Sequence, residues 1–105
     1  MSVVVVFITA PKGKGEEIAG KIIESRLAAC ANVISGVKSV YWWKGKVERD
    51  EEDLIVLKTV EERLDELIEF VKRVHPYEVP EVIAVKVVKG LQEYLVWVEN
   101  EVREA

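Results

Sequence analysis

The spacing of hydrophobic positions switches repeatedly between strand-like and helical along this chain. Val3 to Thr9 is an apolar, β-branched run broken by the segment from Pro11 to Gly15, and it reads as a buried strand. From Glu16 the spacing becomes helical, with Ile18, Ala19, Ile22 and Ile23 recurring on one side. Glu16 and Glu17 fall in the first turn, where the helix dipole favours negative charge. Leu27 to Ile34 returns to strand character, Ser35-Gly36 interrupts it as a bulge or bend, and Val37 to Trp43 continues it. Lys44-Gly45 offers a tight hairpin turn, with Lys46 to Leu57 as the return arm. Thr59 and Glu62 have capping-box spacing and predict the start of a second helix, with Leu64, Leu67, Ile68 and Val71 as its buried stripe. Pro76 stops that helix, because proline disfavours helical geometry in the residue before it, His75. Val82 to Val88 reads as the last strand, and Gly90 turns the chain into a final helix carrying Leu91, Tyr94, Leu95 and Val98 on one face.

The order β-α-β-β-α-β-α predicts an α+β domain over residues 1–105, a ferredoxin-like sandwich with an extra C-terminal helix. The hairpin does not suit a solitary domain. Its arms run well past the usual strand length of about 5–6 residues, and the distal part carries Tyr41, Trp42 and Trp43. Adjacent strand residues point to opposite faces, so a lone two-layer domain leaves one of the two tryptophans exposed. Aromatic anchors on a projecting hairpin are what a subunit interface uses. Self-assembly through Tyr41, Trp42 and Trp43 is therefore expected.

Composition narrows the function classes. The chain has 105 residues, half of them hydrophobic, which is enough for one core. A net charge of -4 argues against nucleic acid as a partner, since phosphate binding draws on clustered Lys and Arg. One cysteine excludes an internal disulfide. The apolar opening run has no basic flank and too little length for a signal peptide or membrane span, so a soluble cytoplasmic protein is expected. Charged residues reach 32%, dominated by Glu and Lys, a balance that resembles heat-adapted proteins.

Several residue groups invite chemistry. His75, the only histidine, offers a metal ligand or an acid/base group; the plainer reading is a helix-end residue favoured by the dipole. Cys30 offers a thiolate or soft ligand, but a lone cysteine in an apolar strand reads better as core. Gly13-Lys14-Gly15 sits where anion-binding loops occur but lacks the remainder of any phosphate-binding motif, and a turn explains it better. Glu48, Asp50, Glu51, Glu52 and Asp53 lack the pattern of a calcium loop and read as a charged edge that resists further strand pairing. Lys58 ends an apolar strand and could bind an anion or pair with Glu81.

Three blocks carry a family resemblance: Arg26 to Asn32 (RLAACAN), Tyr41 to Val47 (YWWKGKV) leading to Leu57-Lys58-Thr59, and His75 to Glu81 (HPYEVPE). With Tyr94 to Trp97 (YLVW), they resemble the CutA family of divalent-cation tolerance proteins. The resemblance implies a cytosolic homotrimer, similar in outline to PII signalling proteins, that acts by binding rather than catalysis in copper and divalent-metal tolerance. It also implies that copper binding would be weak, with His75 as the metal residue. Copper-binding bacterial members are associated with a first-strand cysteine and a His-His pair, whereas this chain has Ile8, Val74 and His75. The alternative is a PII-like sensor holding a small anion in clefts between subunits, with Lys58, Tyr77, Glu81, Tyr94 and Trp97 as lining beside His75.

Overall fold

In a computed structural model that describes residues 2–103, a four-stranded antiparallel sheet carries two helices on one face. Met1 and the last two residues of the expected 1–105 domain lie outside the described residues. The elements are β1 (Val3–Pro11), α1 (Gly15–Glu24), β2 (Cys30–Trp43), β3 (Lys46–Val60), a single 3₁₀ turn (Glu61–Arg63), α2 (Leu64–Val74), β4 (Val82–Lys86) and α3 (Gln92–Glu101). The strand order is β2-β3-β1-β4, the ferredoxin-like arrangement, with α3 added.

Alternation on β1 builds the core. Val4, Val6, Ile8 and Ala10 are fully covered by Ile18, Ala19 and Ile22 of α1 and by Leu67 and Val71 of α2. Their neighbours on β3, Ile55 and Leu57, pair with Ile8 and Val6 and share that face. A second, smaller cluster joins Val3 and Val60 to Val98 and Val102, so α3 covers only one end of the opposite face. Elsewhere that opposite face carries Lys58 and Asn32 among apolar residues: Ile34, Ile83 and Val85 are exposed, and Val5, Phe7, Leu54 and Val56 are half-buried.

Boundaries differ from the sequence reading for local reasons. The chain leaves α1 by a Schellman turn in which Leu27 N–H bonds Ile22 O and Arg26 N–H bonds Ile23 O, so β2 begins at Cys30 rather than Leu27. Arg26 holds the left-handed position at φ 62°, where glycine is usual. Thr59 is not a helix cap. It pairs with Val4 inside β3, is buried, and its hydroxyl donates to Leu27 O at 2.7 Å. The α2 stripe holds at Leu67 and Val71, but Ile68 is 38% exposed because the sheet lies under the other side of the helix. Leu91, at the start of α3, is likewise exposed.

The hairpin forms as predicted. Lys44 and Gly45 both take positive φ, the signature of the tight two-residue turn that matches strand twist. Between Ile34 and Val37 the register slips, with Gly36 at φ 76°, so the interruption is a bulge within one strand. Beyond Glu52 the strand β3 pairs with β2 alone, and the hairpin projects past the helices. Trp42, on the face opposite Trp43, is 75% exposed.

Candidate functional site

The helix α2 ends where Pro76 requires, and the segment 75–81 folds back against β1 and the base of the hairpin. His75 anchors it. The imidazole is only 7% exposed, and its Nε2 lies 2.7 Å from Thr9 O while Nδ1 lies 3.1 Å from Tyr77 N. A carbonyl can only accept and an amide N–H can only donate, so Nε2 carries the proton and Nδ1 is the acceptor. Both nitrogens are thus engaged within the chain. That geometry opposes the expected metal role, because neither lone pair nor proton is free, and it replaces the helix-dipole reading with a strut from α2 to β1.

Tyr77 packs beside this ring at 4.7 Å between centroids, and its hydroxyl donates to Glu52 Oε2 at 2.7 Å. Burial and that bond push the Tyr77 phenol well above its ordinary value of 10.0. Across the gap, the Tyr41 hydroxyl donates to Asp50, which raises its pKa to about 12. Between the 75–81 segment and the hairpin lies a cleft of about 560 Å³. Tyr41, Trp43, Tyr77 and Val79 give it apolar and aromatic walls, and Glu52, Glu78 and Glu81 line it with carboxylates.

The expected site residues therefore divide. Tyr77 and Glu81 meet in the cleft above His75, joined by Tyr41 and Trp43, which the sequence assigned to assembly alone. Lys58, Tyr94 and Trp97 do not line it. Lys58 donates to Asn32 instead of pairing with Glu81. Tyr94 stacks on Trp97 with centroids 5.6 Å apart and lies 3.6 Å from Cys30 Sγ. Bonding to Cys30 lifts the Tyr94 phenol to about 12. Cys30 is half-buried beside that hydroxyl at the head of β2, outside the core that the sequence assigned to it. The lining of this cleft has three glutamates and neither Lys nor Arg.

Two carboxylates of the charged run do not form an exposed edge. Glu52 is 6% exposed and Asp53 3%, because β3 is an interior strand where it passes β1. Asp53 Oδ2 accepts from Gly15 N–H at 2.8 Å and Gly13 N–H at 3.1 Å. The anion suited to the Gly13-Lys14-Gly15 turn is thus the chain's own side chain. Gly15 has to be glycine: a Cβ there would sit 2.8 Å from Asp53 Cβ and 2.9 Å from Val33 Cγ1. The motif itself was the available signal, as a helix start with no external anion calls for an internal one.

Fold and cleft together describe a small α+β module whose hairpin reaches beyond its own body. Residues 4–101 match the family of CutA1 divalent ion tolerance proteins. The chain is 50% identical over 103 residues to the chloroplastic CutA 1 of Oryza sativa, covering 97% of this chain and 58% of that protein. It is 43% identical over 97 residues to the divalent-cation tolerance protein CutA of Thermus thermophilus, covering 91% of this chain and 94% of that one. The crystal structure of CutA1 from Oryza sativa superposes with a TM-score of 0.95 at 47% identity, covering 100% of this chain and 97% of that chain. This chain belongs to the CutA family. It spans a little over half the length of the plant and mammalian relatives it matches.

Proposed function

We propose that the chain works as a cytoplasmic homotrimer in divalent-cation tolerance, by binding rather than by catalysis. Family membership supports the tolerance role. The observation that supports assembly is apolar surface left exposed among the described residues: Ile34, Ile83 and Val85 on the open sheet face, and Val40, Trp42 and Val47 on the hairpin. Contiguous patches of this kind mark protein interfaces. Binding suits the cleft better than catalysis, because His75 is held by two backbone partners and the two tyrosine hydroxyls are tied to carboxylates.

Cu(II) stands at the top of the affinity order for nitrogen and oxygen ligands, so it is the ion most able to use a sparse site. Capture at His75 requires Nδ1 to release the Tyr77 amide, the longer of the ring's two bonds. Binding is accordingly weak and reversible by chelator. Light scattering should give three times the 11.9 kDa chain mass. Calorimetry should show weak Cu(II) uptake that disappears in His75→Ala. A mass near one chain removes the trimer, and tight or unaltered Cu(II) binding in the variant removes His75.

A further inference from the structure

We draw no further inference here: the strongest candidate, the side-chain cluster of Cys30, Lys58 and Tyr94 at the head of β2 on the open sheet face, rests on a lone cysteine with no second observation that points to a ligand, and nothing in the structure shows what covers that face.

Discussion

Asp53 does at the start of α1 what an N-cap serine does elsewhere, from 38 residues away in sequence. Its Oδ2 accepts from two amide donors, the buried one of Gly15 and that of Gly13, at the positive end of the helix dipole. Asp53→Ala should therefore destabilise the chain by about 2–3 kcal/mol in urea unfolding, the usual cost of orphaning donors on a charged acceptor. Gly15→Ala should be destabilising by about 1–3 kcal/mol for a steric reason, since Asp53 and Val33 already fill the space its methyl needs. The three tyrosines give a spectroscopic check. Each phenol is raised by a bond to a carboxylate or a thiol, or by burial, and the unfolded chain keeps the ordinary 10.0. A raised folded-state pKa contributes stability that is present in full below pH 10 and fades toward about 12 as the unfolded phenols lose their protons first. Absorbance at 295 nm should show no tyrosine ionising with an ordinary midpoint in the native protein, and a normal step in guanidinium.

At the scale of elements, the hairpin and the β3–α2 junction teach opposite lessons. The hairpin's turn, bulge and overlength were all legible, because glycine placement and strand period are local properties. The junction was misread: Thr59 and Glu62 have capping-box spacing, yet Thr59 pairs with Val4 and its hydroxyl serves Leu27. Sheet pairing outcompeted the cap. Thr59→Val keeps the shape and removes the donor, so it should cost about 1–2 kcal/mol with little change in helix content by circular dichroism. A capping role would instead shorten the helix. On the hairpin, Trp42 touches little of its own chain, so Trp42→Ala should leave secondary structure intact while weakening assembly by about 2 kcal/mol or more on dilution.

For the molecule as a whole, the sheet has one face well covered by helices and one covered only at its end by α3. Ion pairs such as Lys12–Glu51, Lys86–Glu61 and Arg26–Glu101 decorate the surface. Exposed pairs of this kind are worth little at room temperature and more when hot. On the trimer reading, the open face and the hairpin aromatics add stability through assembly, which should make the unfolding temperature concentration-dependent. Differential scanning calorimetry over a hundredfold range of protein concentration checks this; a constant midpoint would point to a chain that is stable alone.

The sequence by itself determined the element order, the ferredoxin-like class, the hairpin turn and the family, because periodicity, turn residues and contiguous motifs are written along the chain. It also placed His75, Tyr77 and Glu81 in one short segment, since seven consecutive residues hold them. Tertiary structure alone decided the partners of those residues. That His75 spends both nitrogens on Thr9 and Tyr77, that Glu52 and Asp53 are interior, and that Trp43 and Tyr77 line one cleft all depend on β3 lying between β1 and β2. A charged run reads the same at an edge and inside a sheet; only the pairing of strands distant in sequence decides which carboxylates lose their water and what must replace it.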